Sequence, residues 1–324
     1  MALHLADKWL WDFWFAQDGA DFHIFYLQAD RALQDEGQRH WHVSIGHAVS
    51  RDLRTWTRLP DALRPSDDDR AWDNYTTWTG SIIHHDGLWY MLYTGTTRAE
   101  DGLVQRIGLA TSRDLVVWHK HPTNPVLSAD PTWYELLDRT LWHDQAWRDP
   151  YVVQDADTGV FHAFITARHN AGPADSRGAV GHATSTDLMT WQVQPPLAVP
   201  RDFGHLEVPQ ILQIQGRWYL LFSSPYETQA KAFQARAGRR QSGTHYMVAD
   251  AMLGPYRSLT DDYLVGDEVG ALYSGKLIQD QSGAWQFVAF ENRTAWGEFA
   301  GNITDPYPVE ILADGRLRVQ FPGR

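Results

Sequence analysis

The chain has 324 residues, 43% hydrophobic and 21% charged, enough to bury a large core and unlike the composition of disordered or collagen-like chains. A formal charge of -12 argues against a surface that tracks nucleic-acid phosphates, and the absence of cysteine excludes a disulfide framework, thiolate metal ligands and a cysteine nucleophile. No basic segment followed by a long apolar one opens the chain, and no run of about 18 apolar residues occurs. The expectation is therefore a cytoplasmic protein with no membrane span, no nucleic-acid partner and no cofactor.

An aromatic-rich alternating strand recurs along the chain, at residues 22–26, 87–93, 159–164, 216–222 and 283–290. The first three copies are followed by a second strand and a turn, at 46–56, 108–118 and 181–191, each carrying S-x-D-L-x-x-W. A degenerate fourth lies at 251–256. Asp52, Asp114 and Asp187 of these turns are read as structural, because an active site does not need three identical copies and Asp satisfies backbone N–H groups in turns. Helical periodicity is weak except around 229–240. The stretch 231–240, with Arg236, Arg239 and Arg240, reads as a solvated loop, with a lid or a subunit contact as alternatives. Residues 311–321 read as a hairpin closing the last unit.

Five repeats predict an all-β fold, a five-bladed β-propeller with four-stranded antiparallel blades around a central pocket, because radial repetition leaves few long exposed edges. The expected organisation is a single catalytic domain over 1–324 without an appended β-sandwich.

One segment before each aromatic strand departs from the repeat, and that phase is the innermost strand. Asp12, Asp149 and Glu207 stand in these segments of the first, third and fourth units, in largely apolar and aromatic surroundings. Their separations match about two repeats and one, so the three acids are expected to converge at one mouth of the channel. A buried acid is costly unless it is paired or used, and desolvation raises its pKa toward a useful range. Carboxylates around one pocket suit glycosidic chemistry, in which one protonates the leaving oxygen and another attacks or activates water. Sixteen tryptophans suit stacking on sugar faces, although most rings are expected in the blades. No G-x-S-x-G, H-E-x-x-H, P-loop or G-x-G-x-x-G motif competes, and histidine pairs such as His84–His85 are read as surface or packing residues, with no metal expected.

At these segments the sequence resembles clan J glycoside hydrolases, families 32 and 68, the β-fructofuranosidases and levansucrases. Trp11-Asp12-Phe13-Trp14 resembles the levansucrase W-D-S-W block, and Trp78-Thr79-Gly80-Ser81 resembles W-S-G-S. Arg148-Asp149-Pro150 matches R-D-P, and Glu207-Val208-Pro209 stands where family 32 has E-C-P and family 68 has E-R-P. The resemblance implies a retaining enzyme acting on a small saccharide, sucrose or a short fructo-oligosaccharide. It makes Asp12 the nucleophile, Glu207 the acid/base, and Asp149 with Arg148 the grip on the furanose. Trp11, Trp14, Trp78, Ser81, His205 and Tyr273 are further candidates for binding the sugar. The P-N-G that follows the family 32 nucleophile is missing, and Val208 replaces Cys or Arg. The alternatives are a fructosyltransferase using the same site, an inverting family 43-like arabinofuranosidase or xylosidase, and a non-catalytic binding propeller.

Overall fold

The computed structural model describes residues 3–322. Five antiparallel sheets follow one another along the chain. Blade I comprises β1 (Lys8–Asp18), β2 (Asp21–Asp30), β3 (Ser44–Ser50) and β4 (Thr57–Leu63). Blade II comprises β5 (Thr76–His85), β6 (Leu88–Thr96), β7 (Arg106–Ser112) and the two-residue β8 (His119–Lys120). Blade III comprises β9 (Trp147–Gln154), β10 (Phe161–Arg168), β11 (Gly178–Ser185) and β12 (Gln192–Ala198). Blade IV comprises β13 (Glu207–Ile214), β14 (Arg217–Ser224), β15 (Ser242–Ala249) and β16 (Val265–Asp267). Blade V comprises β17 (Leu272–Gln279), β18 (Trp285–Arg293), β19 (Phe299–Ile303), β20 (Tyr307–Ile311) and β21 (Leu317–Val319). The innermost strands β1, β5, β9, β13 and β17 pack each on the next, and β17 packs back on β1, closing a five-bladed propeller.

The last blade departs from the four-strand expectation, because β19 is a fifth strand paired with β18. It gives the N-terminal segment a partner. Leu3 N–H donates to the Ile303 carbonyl at 2.8 Å, and Ile303 N–H donates to the Leu3 carbonyl at 3.1 Å. Arg31 bridges the same seam, donating to the carbonyls of Lys8 at 2.9 Å and Ala300 at 3.0 Å. The expected closing hairpin is present as β20 and β21, in register from Ile311 opposite Leu317 to Val309 opposite Val319.

The repeated turns behave as read. Oδ1 of Asp52 accepts the N–H groups of Arg54 at 2.8 Å and Thr55 at 2.6 Å, and Oδ1 of Asp187 does the same for Met189 and Thr190. The leucine that follows is buried with φ near +60° in all three turns, at Leu53, Leu115 and Leu188. Trp118 and Trp191 each donate their indole N–H to that leucine's carbonyl. In the degenerate fourth copy Met252 takes the leucine's place, and the Tyr256 hydroxyl donates to its carbonyl at 2.8 Å.

The helix expected around 229–240 is α1 (Lys231–Ala237). Phe233 anchors it in the core against Phe203, and Arg236 binds Asp202 and Asp261, so the segment is fixed to blade IV rather than a free solvated loop.

Candidate active site

All five innermost strands carry an irregularity at one phase. The pairing register slips between Trp11 and Phe13 in β1 and between Trp78 and Gly80 in β5. On β9, Arg148 faces Thr166 and Tyr151 faces Phe164, so two residues lie opposite one. The same count holds for Val208 and Pro209 between Glu207 and Gln210, and for Ser274 and Gly275 between Tyr273 and Lys276. A bulge interrupts the alternation of a strand, letting two consecutive side chains face the same side. The consecutive pairs Trp11/Asp12, Trp78/Thr79, Arg148/Asp149 and Glu207/Val208 accordingly all line one cavity of about 440 Å³.

The phase of the acids is thereby refined. Asp12 and Asp149 occupy the bulge, in line with Thr79, Val208 and Ser274, whereas Glu207 stands one residue earlier, in line with Arg148 and Tyr273. The sequence expectation of one shared phase holds to the segment, not to the residue.

Each carboxylate is held differently. Asp12 accepts from the Ser274 hydroxyl at 2.5 Å and the Thr79 hydroxyl at 3.1 Å, both supplied by neighbouring bulges. Burial raises its pKa, the Ser274 hydrogen bond opposes that, and the charge of Glu207 raises it again. Asp149 is 4% exposed and adopts φ +56°. Its Oδ2 accepts from the Thr166 hydroxyl at 2.8 Å and from the Val208 N–H at 3.2 Å. Burial pushes Asp149 up to about 6 against the pull of Arg148.

Glu207 accepts from Arg148 at 2.8 Å through one oxygen and from the Tyr273 hydroxyl at 2.6 Å through the other. Burial works to raise its pKa, but His205, the Arg148 charge and the Tyr273 hydroxyl hold it below the usual carboxylate range. Arg148 is the hub. It donates to Gln105 and Asp144, each at 3.1 Å, and its Nε lies 3.5 Å from Asp149.

Of the further candidates, Trp11, Trp78 and Tyr273 line this cavity. Trp14 and Ser81 do not. They lie beyond the bulge, farther along the channel, and line a second cavity of about 210 Å³ with Lys276 and Tyr151. There Trp14 stacks on Phe25 and the Ser81 hydroxyl accepts the Val152 N–H. Strand alternation past the bulge carries both away from the acids, so their assignment to the sugar site is corrected.

His205 is also not in the wall. It is 1% exposed and sits behind Arg148 and Glu207. The Trp142 indole, which can only donate, gives its N–H to His205 Nε2 at 2.9 Å. The other ring nitrogen, Nδ1, lies 3.3 Å from an Arg148 nitrogen and 3.6 Å from Glu207 Oε1. Burial lowers the pKa of this imidazole and keeps it neutral.

The sequence reading missed Arg39, His40 and Trp41, which enter the cavity from the β2–β3 connection, and Gln105, His143 and Asp144, which come from loops before β7 and β9. Loop residues carry no period that would betray them. Thr79 and Ser274, however, stand inside the irregular segments and share the phase of Asp12. Among the described residues, His143, Asp144 and His205 offer donor atoms within 4.8 Å of one another. A cation there would compete with the Trp142 N–H for His205 and with the Arg148 guanidinium for Asp144.

Five blades closing on an aromatic, acid-lined axial pocket define a glycoside hydrolase of the propeller class. The chain belongs to glycosyl hydrolases family 32, whose N-terminal domain model matches residues 14–297. Asp12 lies just before the matched span, so its place in the site rests on the geometry. The chain is 23% identical to an extracellular sucrase of Zymomonas mobilis over 98% of its own length and 84% of the relative's. It is 36% identical to the 6(G)-fructosyltransferase of Asparagus officinalis over 137 residues, 37% of this chain and 21% of that protein's length. The solved inulosucrase of Halalkalicoccus jeotgali bound to kestose superposes with a TM-score of 0.76 at 23% identity, covering 97% of this chain and 87% of that one. The kinship with clan J thus holds, and the family match sets aside the family 43 alternative. The expected cytoplasmic location gains no support, one relative being named as extracellular.

Proposed function

We propose that the protein cleaves β-fructofuranosides, sucrose or short fructo-oligosaccharides, with retention of configuration. The observation that carries the reading is the meeting of Asp12, Asp149 and Glu207 in one cavity, with Arg148 tied to both Asp149 and Glu207. The relatives named for sucrase and fructosyltransferase activities support the substrate class.

A carboxylate oxygen of Asp12 attacks the anomeric carbon while the bond to the leaving oxygen breaks and that oxygen takes the Glu207 proton. Glu207 then removes a proton from water as the water oxygen displaces Asp12, releasing fructose. Asp149 and Arg148 hold sugar hydroxyls throughout. In the free protein the His205 hydrogen bond and the Arg148 charge hold the Glu207 pKa down. Drawing the guanidinium onto the substrate weakens that hold and lets the carboxyl take up the proton it must deliver. Once the fructosyl-enzyme has formed, a sugar hydroxyl in place of water gives the transfer product.

Asp12→Asn preserves shape and both hydroxyl neighbours but removes the attacking oxygen's charge. Activity on sucrose is expected to fall by roughly four orders of magnitude or more with an unchanged circular-dichroism spectrum. A rate within a few-fold of wild type would refute the assignment and favour the non-catalytic alternative.

A further inference from the structure

Behind Arg148 and Glu207 stands a brace that does not itself line the catalytic cavity. Trp142, from the loop before β9, has its ring centre 3.7 Å from the Arg168 guanidinium carbon and gives its N–H to His205 Nε2 at 2.9 Å. Arg168, on β10, is 1% exposed and donates to Glu135 and to the Gly204 carbonyl, each at 2.8 Å. A Cβ at Gly204 would stand 2.6 Å from the indole, so the absence of a side chain lets the segment carrying His205 pass this close.

The indole N–H occupies a place where His205 would otherwise be protonated. Asp144 Oδ2 accepts from Arg148 and from the Gln105 amide, the latter at 2.8 Å. Its other oxygen, Oδ1, is buried without a hydrogen bond and lies 3.7 Å from His205 Nε2. A proton on Nε2 would find that carboxylate waiting, and the resulting imidazolium would stand 3.6 Å from Glu207 Oε1 through its Nδ1. An indole can only donate, so while Trp142 holds Nε2 that nitrogen stays unprotonated.

The charges around the ring are divided. Arg148 opposes a positive His205, Asp144 and Glu207 favour one, and the His143 ring faces it at 5.6 Å. Tyr273, Asp12, Asp149 and His40 also feel the Glu207 charge. We propose that Trp142 is a positioning residue for the reaction: its N–H denies His205 the proton that Asp144 would hold there, and so keeps a second positive charge away from Glu207. A carboxyl that must carry a proton to the leaving oxygen then has the Arg148 guanidinium to be released from, and no imidazolium besides. This rests on the assignment of Glu207 made above.

The test compares kcat/KM on sucrose across pH for the wild type and Trp142→Phe, which keeps a ring over Arg168 but has no N–H to give. The basic limb, set by the acid form of Glu207, is expected to move to lower pH by about one unit or more, the shift that a cation within about 4–6 Å gives a carboxyl. KM and the acid limb are expected to stay. A basic limb that does not move, whether or not the rate falls, overturns the role. In a His205→Gln background, where position 205 cannot become cationic, adding Trp142→Phe is expected to shift nothing further, and a further shift there overturns it as well. Wild-type His205 is expected to keep the ring nitrogen NMR shifts of a neutral imidazole at pH 5, below the ordinary histidine pKa of about 6.5. A cationic ring at that pH contradicts the proposal even if neither variant folds. A wild type inactive on sucrose and on inulin-type oligosaccharides at every pH instead overturns the Glu207 assignment, and this role with it.

Discussion

At the scale of single residues, the site depends on backbone conformations that its side chains do not favour. Val208 adopts φ +52°, a region costly for a β-branched residue, and Asp149 and Ser274 share the left-handed conformation at the same bulge position. Polar contacts from neighbouring blades hold Val208 there. Its N–H donates to Asp149 and to the Thr166 hydroxyl, and its carbonyl accepts from Lys276 at 2.7 Å. Lys276 is 4% exposed, and burial lowers its pKa to about 7, so its cation is lost as the pH rises through neutrality. That cation lowers the pKa of Asp12, whereas burial raises it. Removing it in Lys276→Met takes away one lowering influence and leaves the Ser274 and Thr79 hydrogen bonds to oppose burial and the Glu207 charge. The acid limb of the kcat/KM profile is then expected to move to higher pH, because Asp12 attacks as the carboxylate in the proposed mechanism. An acid limb that stays in place would show that the ammonium acts only through the backbone.

At the scale of elements, blades I and III share a device that their repeats hint at. His23 Nδ1 lies 2.8 Å from His47 Nε2, and His162 Nδ1 lies 2.9 Å from His182 Nε2, each pair bridging the second and third strands of its blade. The motifs G-H-A-V-S and G-H-A-T-S carry the matching His47 and His182. Burial pushes the pKa of His47 to about 3 and that of His182 to about 4. Unfolded histidine titrates near 6.5, so the unfolded chain binds more protons than the native one at mildly acidic pH. This contribution to stability is complete above about 6.5 and is lost as the pH falls toward those native values. Calorimetry should find the Tm dropping from pH 6.5 to 5, with a shallower drop in His47→Gln. An equal slope in that variant would contradict the role given to the pair. The sequence reading named only the adjacent His84–His85 as surface or packing residues; these two pairs form across strands and are not adjacent in sequence.

At the scale of the whole molecule, the five-fold repeat was legible because aromatic alternation and the S-x-D-L-x-x-W turn recur in the same order, and the three acids were legible because they break that order. What escaped was set by tertiary closure. The fifth strand of the last blade exists because β19 receives the Leu3 segment, a pairing between residues 300 positions apart that no local pattern encodes. Trp14 and Ser81 were misplaced because a bulge reverses which side chains face a given side of the channel, and the sequence does not mark the extra residue. Loop residues such as His40 and Asp144 reach the cavity only through the fold. We propose that this ring of bulges sets Asp12 to attack a fructofuranosyl carbon and Glu207 to serve the leaving side. The most direct measurement is NMR of the products formed from sucrose in buffer containing methanol. Methyl β-fructofuranoside is expected, the product of two inversions through a covalent intermediate; methyl α-fructofuranoside or intact sucrose would refute these roles.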